Sequence, residues 1–229
     1  MKLSVLVPAY NEEDTIEEAV RQVLEVELGE VEKEIIIVND ASTDDTAACL
    51  ERLKALPGVM VLAHRENRGK GAAIRTALEA VTGDMVLIQD ADLEYDPGDY
   101  RELVRPVLEG RADVVYGSRF LGSIENMRFP NWLANRILAW AASILFWRRI
   151  TDEATCYKLF RADLLRSFNL ECERFEFCPE VTAKALKRKC RLVEVPISYH
   201  GRTVEAGKKI RATDGLEAIW TLIRYRFRD

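Results

Sequence analysis

Histidine is scarce in this chain and cysteine shows no pairing pattern. There are two His and five Cys, at positions 49, 156, 172, 178 and 190. The number is odd and no two stand in CxxC spacing, which argues against a zinc site or a disulfide framework and fits a reducing cytosol. An excess of positive charge is also missing. Lys and Arg number 33 against 38 Asp and Glu, a net charge of -5, which argues against wholesale nucleic-acid binding. Long apolar runs are absent too. The best candidate, 137–147, is an uncharged stretch of eleven residues, where roughly 20 are needed to cross a bilayer. The opening run into Val7 and Pro8 is too short and too uncharged for a signal peptide, so no leader is expected. No internal repeat, low-complexity tract or clear linker stands out.

What is present is an ordinary globular composition, with 48% hydrophobic and 31% charged residues over 229 positions. That length suits one large domain, or one domain with a small appendage. The first half alternates short β-branched runs with amphipathic stretches. Strands are predicted over 3–7, 34–38, 59–63, 85–89 and 113–116. Helices are predicted over 12–26, 44–55, 71–81 and 97–108. This alternation implies a parallel α/β sheet with helices on both faces. The apolar runs are continuous, as in strands buried on both sides. In such sheets ligands sit beyond the C-terminal strand ends. Those ends carry Pro8-Ala9-Tyr10-Asn11-Glu12, Asn39-Asp40-Ala41-Ser42, Asp90-Ala91-Asp92 and Gly117-Ser118-Arg119. Their convergence on one edge is the main signal.

The second half changes character. It reads as an aromatic helix over 131–147, a strand over 155–160, a helix over 179–187 and a strand over 192–195 that ends at Pro196. A basic loop over 200–211 and an amphipathic helix over 214–227 complete the chain. The division expected is a main domain over 1–212 and a C-terminal amphipathic helix over 213–229.

Asp90-Ala91-Asp92 is the sharpest motif. Two carboxylates beside a strand end repel unless a cation lies between them, and Mg²⁺ or Mn²⁺ with carboxylate and phosphate oxygens is the natural solution. A solvated turn with Asp92 as a helix cap is the plainer alternative. Tyr10 could stack on a base and Glu12 bond a ribose, although Asn11 or Glu12 could equally cap a helix. The segment from Asn39 to Asp44 could read a base edge, cap the next helix with Ser42 or Thr43, or do both. Asn67-Arg68-Gly69-Lys70-Gly71 has neither P-loop nor dinucleotide spacing, and its glycines read first as close-packing residues. Arg119, Arg202, Lys208 and Lys209 are suited to phosphate.

Taken together these motifs resemble glycosyltransferase family 2, and within it the dolichyl- and polyprenyl-phosphate sugar synthases, from Leu3 to about Ile210. Asp152 with Cys156-Tyr157-Lys158-Leu159-Phe160, and Val195-Pro196-Ile197 ahead of Arg202, also follow the family's order. The resemblance implies a GT-A fold with a mostly parallel central sheet. It implies inverting, metal-dependent transfer of a hexose from a nucleotide-sugar (GDP-mannose or UDP-glucose type) to a polyprenyl or dolichyl phosphate. Pro8, Tyr10, Glu12, Ile37 and Asn39 would line the nucleotide pocket. Asp90, Ala91 and Asp92 would hold metal and diphosphate, with Asp90 and Asp92 as the ligands of Mg²⁺ or Mn²⁺. Asp92 and Arg119 would serve catalysis, and Arg202 and Lys208 would clamp the donor diphosphate. Asn39 stands where the family often has Asp, and Cys156-Tyr157 replaces its usual Ser-Gly. Glu94 offers a third metal contact.

A phosphate acceptor is already ionised and needs cations rather than a general base. Arg119 is the first choice, then Arg128 and Arg136; Asp152 and Glu180 are the base candidates if the acceptor is a hydroxyl. Trp132, Trp140, Phe146 and Trp147 with Arg148 and Arg149 suit a helix lying on a membrane surface, or one packed on the sheet. The expected location is cytoplasmic, with peripheral contact on the cytoplasmic membrane face as an option. Three alternatives are transfer to a saccharide or other hydroxyl, a nucleotidyltransferase, and a binding module with a decayed site. The second predicts a Gly-rich N-terminal loop that Pro8–Glu12 is not, and the third predicts lost metal ligands, yet Asp90 and Asp92 are both present.

Overall fold

A computed structural model describes residues 1–202 and 212–228 of the chain. Seven strands form one sheet: β1 (Lys2–Ala9), β2 (Glu32–Asn39), β3 (Val59–Ala63), β4 (Met85–Ile88), β5 (Val114–Glu125), β6 (Lys158–Arg161) and β7 (Leu192–His200). Their order is β3-β2-β1-β4-β6-β5-β7. The helices are α1 (Ile16–Glu25), α2 (Thr46–Leu53), α3 (Lys70–Ala80), α4 (Tyr100–Leu108), α5 (Phe129–Phe146), α6 (Ala162–Ser167), α7 (Phe177–Lys187) and α8 (Ala212–Phe227). A 3₁₀ turn, Pro97–Asp99, leads into α4.

The first half follows the alternation read from the sequence. β1, β2 and β4 are apolar on both faces, and Leu3, Val5, Leu6, Ile35, Ile37 and Leu87 are wholly buried. Burying such strands on both sides is what a parallel sheet between two helix layers requires. Parallel registers pair Ala9 with Asn39 and Leu6 with Ile88, so the loops after β1, β2 and β4 leave the sheet at the same edge.

The second half departs from expectation in three ways. β6 is antiparallel to both β4 and β5, because the chain re-enters the sheet from the opposite side; apolar periodicity carries no direction. β5 does not stop at Tyr116 but runs to Glu125, with an irregularity between Ser118 and Ser123. β7 does not end at Pro196 but continues to His200, and Pro196 pairs with Ser118. β7 is an edge strand, where a residue without an N–H is tolerated. The short α6 had no counterpart in the sequence reading.

On one side of the molecule α8 packs against α5 and α7. Leu222 and Tyr225 are buried with Ala142 and Ala183 in a small cluster apart from the main core. Among the described residues no helix is long and apolar enough to cross a membrane.

Candidate active site

The loops after β1 and β2 are stitched together by hydrogen bonds of the chain itself. Asn11 adopts a left-handed φ of 51°, a conformation that Asn tolerates better than most residues. Its backbone N–H donates to Ser42 Oγ at 3.1 Å, and its Oδ1 accepts the Thr43 N–H at 2.8 Å. The Glu12 N–H donates to Thr46 Oγ1 at 2.9 Å. Asn39 is buried and its Oδ1 accepts the Ser42 N–H at 2.9 Å. Pro8, Tyr10 and Glu12 keep partial exposure at the rim. Ile37 has none, so it can only support this edge from beneath.

Asp40 turns inward rather than toward a ligand. Its carboxylate accepts the Arg68 N–H at 2.9 Å and the Gly69 N–H at 2.7 Å, and lies 2.6 Å from His64 Nδ1. The 67–71 segment is thereby tied to the end of β2. Gly69 adopts a φ of 93°, and a Cβ on Gly71 would lie 2.5 Å from the Cys172 carbonyl oxygen. The Gly71 and Ala72 amides donate to the carbonyls of Arg174 and Glu173, at 3.2 and 2.9 Å. Two amides that a phosphate cradle would leave open are therefore used by the chain itself. Close packing is what these glycines do.

That packing aims Lys70 at the acidic motif. Its Nζ lies 2.5 Å from Asp90 Oδ1 and 3.5 Å from Cys156 Sγ. Burial works to lower the Lys70 pKa, but the Asp90 charge outweighs it and holds the pKa well above the ordinary value. Asp92 has its own cation. Arg202 Nη2 is 2.9 Å from Glu12 Oε2 and 3.8 Å from Asp92 Oδ2, while Arg202 Nε donates to the Asp92 carbonyl at 2.7 Å. Glu94 accepts the Arg202 N–H at 3.0 Å and the Tyr199 hydroxyl at 2.8 Å. The repulsion inferred for the Asp-x-Asp pair is thus offset by side chains of the protein. Asp90 and Asp92 each remain 23% exposed, while Ala91 between them is buried. Among the described residues no group of three or more His, Cys, Asp and Glu gathers closely enough to hold a metal unaided.

Arg119 is placed at the irregular stretch of β5. Its Nε and Nη2 donate to the two carboxylate oxygens of Asp152, each at 2.7 Å, and its backbone N–H adds a third bond at 3.0 Å. Asp152 is wholly buried and Arg119 nearly so. Burial opposes the charge on Arg119, but Asp152 raises its pKa well above the ordinary value. The guanidinium also lies 5.2 Å from the Tyr199 ring centre, which links it to Glu94 and Arg202. Glu180, the other base candidate, is wholly buried. It accepts the Glu171 and Cys172 amides at 2.7 and 2.9 Å and pairs with Lys184 at 2.6 Å. Of the two residues that replace the family's usual Ser-Gly, Cys156 faces Lys70, and Tyr157 fills the core, donating to Gln89 Oε1 at 2.8 Å.

Beyond Arg119 opens a groove of about 950 Å³ between β5 and α5, lined among others by Phe120, Trp132, Arg136, Trp140 and Arg148. Arg136 sits with its guanidinium 5.0 Å from the Phe120 ring centre. Arg128 precedes the first turn of α5. Lys208 and Lys209 lie outside the described residues. The sequence reading missed the Lys70–Asp90 pair and the Glu94–Tyr199 link; the only signal was the recurrence of charged residues beside each strand end.

Comparison with known proteins identifies the family and the fold. The family model described as glycosyl transferase family 2 matches residues 4–168, and the chain belongs to that family. It is 28% identical to the UDP-N-acetylglucosamine–dolichyl-phosphate N-acetylglucosaminyltransferase of Methanococcus voltae, over 84% of this chain and 83% of that one. It is 30% identical to the undecaprenyl-phosphate 4-deoxy-4-formamido-L-arabinose transferase of Sodalis glossinidius, over 88% and 60%. It is 27% identical to the dolichol-phosphate mannosyltransferase of Pyrococcus furiosus, over 87% of this chain but only 56% of that one. The chain thus spans little more than half the length of the last two relatives. Glucosyl-3-phosphoglycerate synthase from Mycobacterium tuberculosis, solved with Mn²⁺, UDP and phosphoglyceric acid, superposes with a TM-score of 0.73 at 22% identity, over 100% of this chain and 79% of that one. At that identity the likeness concerns the fold, which is the GT-A type expected.

Proposed function

We propose that the chain transfers a hexose, with inversion, from a nucleoside-diphosphate sugar to a polyprenyl or dolichyl phosphate. A phosphate oxygen of the acceptor forms the new bond to the sugar's anomeric carbon. The bond from that carbon to the diphosphate breaks, and the electron pair leaves with the nucleoside diphosphate. The observation that carries the reading is the state of the two base candidates. Asp152 and Glu180 are wholly buried and committed to Arg119 and to Lys184 with two amides. Neither can reach a hydroxyl acceptor, whereas an ionised phosphate needs no base. The polyprenyl-phosphate substrates in the names of the relatives support the same choice.

Asp90 and Asp92 suit Mg²⁺ or Mn²⁺: both are hard oxygen donors, both are partly exposed, and both stand at the edge where the β1 and β2 loops meet. Two carboxylates fall short of a full coordination sphere, so the donor's phosphate oxygens would complete it. Such an ion supplies charge neutralisation for the leaving diphosphate. Pro8, Tyr10, Glu12 and Asn39 hold the nucleoside, Ile37 backs them, and Arg202 with Lys208 clamps the diphosphate. Arg119, kept charged and oriented by Asp152, faces the acceptor groove and offsets repulsion between the acceptor and donor phosphates.

The groove's outer wall meets the lipid. On α5, Leu138, Ala139 and Ala142 are buried, while Leu133, Ile137, Trp140 and Ile144 are exposed, as is Trp147 just past the helix end. That stripe recurs at helical spacing, with Arg136, Arg148 and Arg149 beside it. Trp140 and Trp147 are 68% and 88% exposed. Anionic headgroups and acyl chains match this combination.

The test is incubation with Mn²⁺ or Mg²⁺, a polyprenyl phosphate and a panel of nucleotide sugars. Product partitions into the organic phase with one donor. Glycosylation of aqueous hydroxyl acceptors alone would replace the lipid assignment by the alternative one. A Trp140→Ala/Trp147→Ala variant is expected to cosediment less with anionic vesicles while keeping its melting temperature; unchanged cosedimentation removes the membrane contact.

A further inference from the structure

Asp90 is already satisfied before any metal arrives. The Lys70 ammonium lies 2.5 Å from its Oδ1. Lys70 cannot drift freely, because it is the first residue of α3 and stands between Gly69 and Gly71. The Gly69 amide is held by Asp40 at 2.7 Å, and the Gly71 amide by the Arg174 carbonyl at 3.2 Å. Its side chain is only 13% exposed, so solvent screens the pair weakly. The Cys156 thiol, 3.5 Å from the same Nζ, offers no competing charge of comparable strength. A divalent ion on Asp90 would bring two more positive charges within a few ångströms of that ammonium. The two cations repel, so one of them must give way or find an anion.

We infer that Lys70 is an internal counter-ion that competes with the divalent metal for Asp90, and that the anionic donor releases it. Metal and nucleoside diphosphate then bind with positive coupling, since each makes the other's place available. The inference rests on the reading of Asp90 and Asp92 as metal ligands, and deepens it by assigning a positioning role to a residue outside the ligand set. Asp92 follows the same logic at longer range, with Arg202 Nη2 at 3.8 Å from its Oδ2.

The experiment measures Mn²⁺ binding to the whole chain by the electron paramagnetic resonance of free Mn²⁺, alone and with saturating UDP or GDP. Wild-type protein is expected to bind Mn²⁺ weakly alone and more tightly with the matching nucleotide. Lys70→Met should raise the nucleotide-free affinity by about tenfold or more, the low end of what a neighbouring charge does to a carboxylate's affinity for a proton. The same substitution should shrink the nucleotide enhancement. Lys70→Gln, which keeps a hydrogen-bonding group without the charge, carries the same expectation and serves if the Met variant fails to fold. Lys70→Arg should stay near wild type. Nucleotide-free affinity and enhancement both unchanged in a folded neutral variant would overturn the inference while leaving the metal reading intact. Failure of Mn²⁺ to bind wild-type protein with either nucleotide overturns the metal reading, and this inference with it.

Discussion

Replacing Asp152 with Asn keeps the shape of the side chain but removes the charge that balances Arg119. In the native protein Asp152 accepts three bonds from Arg119 at 2.7, 2.7 and 3.0 Å, and neither side chain is more than 6% exposed. The Asn amide nitrogen would have to face an N–H of the guanidinium or of the Arg119 backbone, donor against donor. Removing one partner of a buried ion pair typically costs about 3–5 kcal/mol, because the other charge stays buried and unpaired. With a urea dependence of about 2–3 kcal/mol per molar, that cost moves the unfolding midpoint down by roughly 1–2.5 M. Equilibrium unfolding in urea at neutral pH, followed by far-UV circular dichroism, reads it directly. A loss below about 1 kcal/mol, the range of an exposed ion pair, would refute the account of this pair as desolvated and paired. A second variant separates folding from chemistry. Arg119→Met/Asp152→Leu removes both charges, and replacing a buried pair with apolar residues is often neutral or stabilising. It should recover most of the stability and none of the transfer activity. Full activity in that double variant would remove Arg119 from the reaction.

Three further outcomes follow from other contacts. Asp92→Ala should abolish sugar transfer while leaving the far-UV spectrum and melting temperature near wild type, since the partly exposed Asp92 carboxylate is only one neighbour of Arg202, which keeps Glu12 at 2.9 Å; wild-type turnover would remove the metal reading. Gly71→Ala should destabilise by about 1–3 kcal/mol in urea titration, as overpacking does, because the added Cβ meets the Cys172 carbonyl oxygen at 2.5 Å; a neutral effect would show that the 172–174 segment yields easily. Glu34 links stability to acid. Burial works to raise its pKa, but hydrogen bonds from Lys2, Ser4 and Thr82 prevail and hold it at about 2, against an ordinary 4.5. The folded pKa is depressed, so Glu34 stabilises fully above about pH 4.5 and progressively less as pH falls toward about 2. Glu34→Gln should flatten the acid limb of a stability-against-pH profile in that window, and an unaltered limb would show the contribution lies elsewhere.

The amino-acid sequence by itself determined the first half of the fold and the edge on which the site lies. Uninterrupted apolar runs such as Ile35–Val38 and Met85–Ile88 can be buried only between two helix layers, and the polar motifs that follow them must then emerge together. Strand direction and extent in the second half were decided by tertiary structure. Apolar periodicity is the same for either direction, so β6 could not be read as antiparallel, and the edge position that lets β7 continue through Pro196 exists only once the sheet is assembled. The same holds inside the site. Asp40, Asp90, Asp92 and Asp152 look alike as carboxylates in a chain. Folding sends Asp40 to backbone amides, Asp90 to Lys70, Asp92 toward Arg202 and Asp152 to Arg119. What a carboxylate can do depends on the charges and dipoles within a few ångströms of it, and those neighbours come from residues 20 to 110 positions away in sequence.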